Sequence, residues 1–338
     1  MPPTLDEVRE QFVFFANEEC GDRAPMYAAI ARGVAGDEHL LALANEGREG
    51  VRRANLLLAA VHYLVLREQD APLARLYREG RPVPGTFDEF RTFAAQHEAE
   101  LRELVRTRLV QTNEVSRCSA LLPGLNAAQA AMGGRPLALI DVGASAGLHL
   151  LFDRYRYTYS PGGTTGPVDS PVEISCEVRG TVIPPVIGLP HLSSRAGIDM
   201  APVDVGDDDA VLWLRALVWP EKQARMERLE AALSLARRAP PAVSEGDALA
   251  LLPKLVEEID REAVPAIYHS HVLAHMPEGV RRTFTGTVLP GLGASRDLAW
   301  LACEGSTMEL TTWVAGVREG RRLAKRDPHG EWIEWLAE

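Results

Sequence analysis

The sequence has no apolar run long enough to cross a bilayer. Its longest, near Leu56–Leu66, is interrupted by His62 and Tyr63 and flanked by Arg52, Arg53 and Arg67, well short of the roughly 20 residues a spanning helix needs. The opening MPPTLDEVREQF has neither the basic nor the apolar part of a secretory signal, so the expectation is a soluble cytoplasmic protein with no membrane partner. Cysteine is scarce. Cys20, Cys118, Cys176 and Cys303 are scattered, and none forms a CxxC pair. This argues against a disulfide framework and a structural zinc site. Excess positive charge is also lacking: 36 Lys and Arg stand against 47 Asp and Glu, a net charge of −11. Bulk nucleic acid and anionic membrane surfaces, which need clustered cations, are therefore poor partners. Tryptophan is absent before Trp213, where the first of six occurs, so the two ends of the chain are built differently.

What is present is ordinary for a globular protein: 46% hydrophobic and 25% charged residues in 338. That is enough for a sizeable core and, by length, for two domains. Residues 1–133 read as an all-helical N-terminal domain. Leu5, Val8, Phe12 and Phe15 recur at helical spacing. Thr86 with Glu89 predicts a capping box opening a long helix to about Val110. A further helix is expected over Asn113–Met132, bent at Pro123–Gly124. After Gly133–Gly134 the pattern changes to strands alternating with helices, which predicts an α/β domain over 134–338 with a mostly parallel sheet and an insertion at about 155–192. Thr311–Val317 and Glu331–Leu336 read as an antiparallel edge.

The most informative segment is Leu139–Leu150, LIDVGASAGLHL. It reads as a buried strand, a turn of small residues and a helix, an arrangement that aims backbone N–H groups at a ligand above the strand end. The spacing of Asp141, Gly143, Ser145 and Gly147, with Ala144 and Ala146 between, resembles motif I of S-adenosylmethionine-dependent methyltransferases, with Ser145 in place of the middle glycine. Asp199, ending a strand, suits the ribose hydroxyls. Asp247, after the next strand, suits the adenine side. His269 and His271, after the fourth strand, fall on the substrate side, where a histidine can act as a base. The same Gly143-x-Ser145-x-Gly147 also spells the nucleophile elbow of an α/β-hydrolase-type serine esterase. The helical reading of the preceding residues leaves no room for that fold's earlier strands and oxyanion loop. A non-catalytic cofactor-binding scaffold is the third possibility.

The segments VGASAGLHLLFDRYRY (142–157), QTNEVSR (111–117), GIDMAPVD (197–204) and LRALVWPE (214–221) together resemble a bacterial domain-of-unknown-function family over nearly the whole chain. That resemblance implies a Rossmann-like methyltransferase core. It departs at His149, where the family pattern leads one to expect Asn. Gln111, Asn113, Glu114 and Arg117 form a polar cluster suited to a lid, and Arg154 and Tyr157 are further substrate candidates. No metal is expected: His269, His271 and His275 share no single face of a strand or helix, and only Glu278 lies near. Trp213 and Trp219 are expected to wall the pocket or to pack beneath the sheet. The acceptor is left open between a small molecule and a protein.

Overall fold

The computed structural model describes residues 3–111 and 113–336, so Thr112 of the QTNEVSR segment lies outside them. The chain opens with seven α-helices: α1 (Leu5–Phe14), α2 (Pro25–Ala35), α3 (Glu38–Asn45), α4 (Arg53–Arg67), α5 (Pro72–Glu79), α6 (Thr86–Gln96) and α7 (Glu98–Thr107). A capping box does occur, at Thr4 and Glu7. The one expected at Thr86 and Glu89 does not form, because the Thr86 hydroxyl reaches back to the N–H and carbonyl of Val83, both at 2.8 Å. Nor is there one long helix to Val110. The His97 ring bonds to the Phe93 carbonyl at 2.9 Å and to Glu68 at 2.8 Å, and the chain breaks between α6 and α7 at this residue.

Next come a short 3-10 turn (Val115–Arg117), helix α8 (Cys118–Ala131) and strand β1 (Leu137–Val142). The insertion supplies β2 (Arg156–Ser160), β3 (Gly163–Thr165) and β4 (Glu173–Arg179), and β5 (Leu192–Asp199) follows. Then come α9 (Asp208–Ala216), α10 (Gln223–Arg238), β6 (Val243–Glu245), α11 (Ala248–Glu258), β7 (Val264–Ser270), α12 (Glu278–Thr283), α13 (Leu289–Ser295), β8 (Leu298–Glu304), β9 (Thr307–Val314), β10 (Val317–Arg326) and β11 (Trp332–Trp335).

Contacts divide the chain into two units: 1–112 with 207–227, and 113–206 with 228–338. The division falls at 112/113 rather than at 133, because α8 belongs with the sheet. At Gly124 an added Cβ would lie 2.6 Å from Leu301, so only glycine lets this helix approach β8 so closely. The first unit is helical, and α9 returns to it from the middle of the chain. Its indole and backbone anchor it there: Trp213 Nε1 donates to the Leu109 carbonyl at 2.8 Å, and the His62 ring meets the Ala216 carbonyl at 3.0 Å. Trp213 and Trp219 thus pack into the helical core.

The second unit carries a mixed, mostly parallel sheet of eleven strands in the order β3-β2-β4-β11-β10-β9-β8-β7-β1-β5-β6. The neighbours among β6, β5, β1, β7 and β8 are all parallel. The C-terminal strands are not an edge. β11 pairs with β4 of the insertion as well as with β10, so β9, β10 and β11 sit inside the sheet. Glu173–Arg179 alternates exposed and buried residues, as a one-sided strand should, whereas β1 is buried at every position. No helix among the described residues is long and apolar enough to cross a membrane.

Candidate functional site

The chain passes from β1 to β5 and β6 on one side, then returns to place β7 and β8 on the other. Because these strands are parallel, their C-terminal ends open on one edge, and the order reverses at β1. In open α/β sheets such a reversal leaves a crevice where ligands bind. The turn 143–147, Asp199, Asp247, His271 and Glu304 all follow or end these strands.

The turn is built by left-handed residues: Gly143 (φ 78°), Ser145 (φ 51°) and Gly147 (φ 68°). Glycine is needed at 143 for a second reason, since a Cβ there would overlap Val272. At Gly147 it would lie 2.6 Å from Pro241. The helix that follows, Leu148–Arg154, takes 3-10 form. The N–H groups of the turn are committed within the protein. Gly143 and Ala144 donate to the Ile198 carbonyl (2.8 and 3.1 Å), Ser145 to Asp199 Oδ2 (2.7 Å), Ala146 to Asn113 Oδ1 (3.3 Å) and Gly147 to the Ala144 carbonyl (2.7 Å). Asp199 also accepts from Ala201 N at 2.8 Å. Asp247 is exposed and caps α11 through Leu249 N at 2.9 Å. Met200, directly after Asp199, is 70% exposed.

Asp141 is buried behind the turn. Burial, helped by the charge of Asp199, pushes its carboxyl well above the usual range. His149 Nδ1 lies 3.9 Å from Asp141 Oδ2, and its Nε2 meets the Glu114 carbonyl at 3.0 Å. Burial also lowers the His149 imidazole to about 4. Burial thus disfavours the charged form of both partners.

Of the expected lid residues, Asn113 reaches the turn, where its Nδ2 donates to Ser145 Oγ at 2.7 Å. Glu114 is buried and caps the 3-10 turn through Ser116 N at 3.1 Å; Arg117, also buried, donates to the Pro328 carbonyl at 3.0 Å. Gln111 belongs to the helical unit. Arg154 is exposed at the end of its 3-10 segment. Tyr157 is fully buried and its hydroxyl donates to the Phe152 carbonyl at 2.6 Å, a core role away from the strand tips.

The two histidines part company. His269 is wholly buried, packed among Phe284 and Trp300, with Nδ1 2.8 Å from Glu304 Oε1. The same oxygen accepts from Val272 N and Leu273 N at 2.9 and 3.2 Å. Burial alone would raise the Glu304 carboxyl, but these three donors outweigh it and hold it below the ordinary range. His271, just past β7, takes φ 57° and accepts from Arg326 Nη2 at 3.0 Å. Burial, together with Arg117 and Arg326, lowers its imidazole to about 3. Sequence reasoning missed Glu304 and Arg326. A carboxylate ending the apolar strand LAWLACE carried the same signal as Asp141 and Asp199. Among the described residues, no group of three His, Cys, Asp or Glu is placed to hold a metal. A hollow of about 620 Å³ lined by Phe14, Glu19 and Arg52 belongs to the helical unit and includes none of these residues.

Residues 9–335 match the family described as an uncharacterized protein conserved in bacteria, DUF2332. No curated protein and no solved structure matches the chain.

Proposed function

The chain belongs to the DUF2332 family, and for it we propose S-adenosylmethionine-dependent methyl transfer to a small-molecule or protein acceptor. The observation that carries this reading is Asp199 and Asp247 at neighbouring strand tips, with the large apolar side chain of Met200 exposed beside Asp199. Carboxylates suit the hydroxyls of a nucleoside, and an exposed thioether suits the flat face of its base. The reversal of strand order at β1 supports a Rossmann-like methyltransferase sheet.

On this reading Asp199 takes the ribose, Asp247 the adenine side, and the 143–147 turn the methionine part. The nucleoside end would meet Asp199, which ends β5 and holds Ser145 N and Ala201 N at 2.7 and 2.8 Å, and the exposed Asp247 beyond β6. The methionine part would meet the turn by close approach, because the turn's N–H groups are already bonded. Bound S-adenosylmethionine supplies an electrophilic methyl group. The chain's own residues supply orientation and exclusion of water. Neither histidine offers a free base: His271 Nε2 accepts from Arg326, and His269 is sealed in.

Calorimetric titration with S-adenosylmethionine and its demethylated product tests the proposal. Saturable binding that Asp199→Ala weakens supports it, and no binding at millimolar ligand ends it. Ser145 shares the left-handed φ of an elbow nucleophile, yet the partner of its Oγ is Asn113, not a histidine. Labelling of Ser145 by a fluorophosphonate would revive the esterase reading. Binding without any methylated acceptor would favour a scaffold.

A further inference from the structure

The tip of β7 holds a cation that the methyl-transfer reading does not use. Arg326 is 1% exposed. Its guanidinium donates to the carbonyls of Thr307 (3.4 Å) and Asp327 (3.3 Å) and to His271 Nε2 (3.0 Å). No carboxylate pairs with it among the described residues. A buried charge without a counter-ion is costly, and proteins ordinarily pair one. Here the third arm of the clamp ends on a neutral imidazole instead.

That choice sets the tautomer. With Nε2 accepting, the His271 proton sits on Nδ1, which has no acceptor among the described residues. A donor backed by a buried cation is polarised toward an incoming negative charge. The ring is partly exposed and held by a left-handed backbone that a non-glycine residue adopts at a cost. Arg117 and His329 also bear on His271; Glu304 opposes them, but its Oε1 already accepts from His269, Val272 and Leu273. Glu114 lies 3.9 Å from His329 Nδ1. Tyr268 and Ser270 share one face of β7 by its two-residue period, and the oxygens of both hydroxyls are buried without a hydrogen-bond partner.

We propose that His271, backed by Arg326 with Arg117 beside it, receives an oxyanion, carboxylate or phosphate, of a small-molecule ligand. If the methyl-transfer reading holds, this is the anionic group of the acceptor; the oxyanion site itself does not depend on that reading. The test therefore uses no S-adenosylmethionine. Inorganic phosphate and, separately, acetate are titrated into the full chain at constant ionic strength, with the His271 ring followed by ¹⁵N NMR and affinity by calorimetry. A saturable shift of Nδ1 is expected. His271→Asn should fold, because Asn tolerates the left-handed conformation, and should bind about tenfold more weakly or worse. Response to phosphate alone assigns a phosphate ester, and response to acetate alone a carboxylate. No saturable shift with either anion, or undiminished binding in His271→Asn, overturns the proposal.

Discussion

Two carboxyls end two strands of the same sheet, Asp141 on β1 and Glu304 on β8, and they are shifted in opposite directions. Glu304 accepts from His269, Val272 and Leu273 and stays ionised. Asp141 is offered no donor at Oδ2, and its carboxyl is pushed well above the ordinary range. Burial pushes both the same way, so the number of donors decides the outcome. The lesson extends to the two sides of β1. Toward β5 and β6 the acids are Asp199, which holds Ser145 N and Ala201 N, and the exposed Asp247, which caps α11. Toward β7 and β8 the acid is consumed in holding the 271–273 turn, and the buried charge facing outward through His271 is a cation.

Substitutions break or sharpen that contrast. The largest effect is expected at the junction of the two sides. Gly143→Ala meets both a left-handed φ and an overlap with Val272, and should cost about 3 kcal/mol in urea unfolding. Gly133→Ala, with φ 66° and open space, isolates the backbone part and should cost only about 1 kcal/mol. Glu304→Gln comes next, at about 2 kcal/mol. Because the folded pKa of Glu304 is depressed, its contribution is present above the unfolded carboxylate pKa and lost as pH falls through the folded value. The variant should therefore lose part of the acid dependence of stability. Asp199→Ala removes the acceptor of two N–H groups on the turn and its far side. It should cost about 1 kcal/mol in stability and weaken S-adenosylmethionine at least tenfold in calorimetry. The smallest effect, with the opposite sign, belongs to Asp141→Asn. The raised pKa of Asp141 means that its contribution is full below the unfolded pKa and lost as pH rises toward the folded one. The variant should gain stability over wild type at pH 7 but not at pH 3, a gain partly offset by amide protons that find no acceptor. A chemical-denaturation series at both pH values checks this.

The places of Asp141, Asp199 and Asp247 at strand ends were legible because chemistry and period coincided. β1 is a short apolar run ending in Asp and Gly, and Asp199 and Asp247 sit where strand turns into loop. What escaped depended on competing local bonds and on distant partners. Thr86 was free to bond backward to Val83, and nothing local opposed that. The helix after Gly147 takes 3-10 form and ends where Tyr155 and Tyr157 turn their hydroxyls back onto the Leu148 and Phe152 carbonyls. The place of β9–β11 inside the sheet was set by the pairing of β11 with the insertion strand β4, a contact no window of sequence contains. Trp213 and Trp219 joined the helical unit for the same reason.

Hydrogen–deuterium exchange, with S-adenosylmethionine and with phosphate separately, tests the division between the two sides most directly. The expected result is protection of 199–203 and 246–250 by S-adenosylmethionine, and of 270–273 and 326–329 by phosphate. Protection of neither segment near Asp199 and Asp247, or protection by S-adenosylmethionine only in the helical unit, would contradict the account.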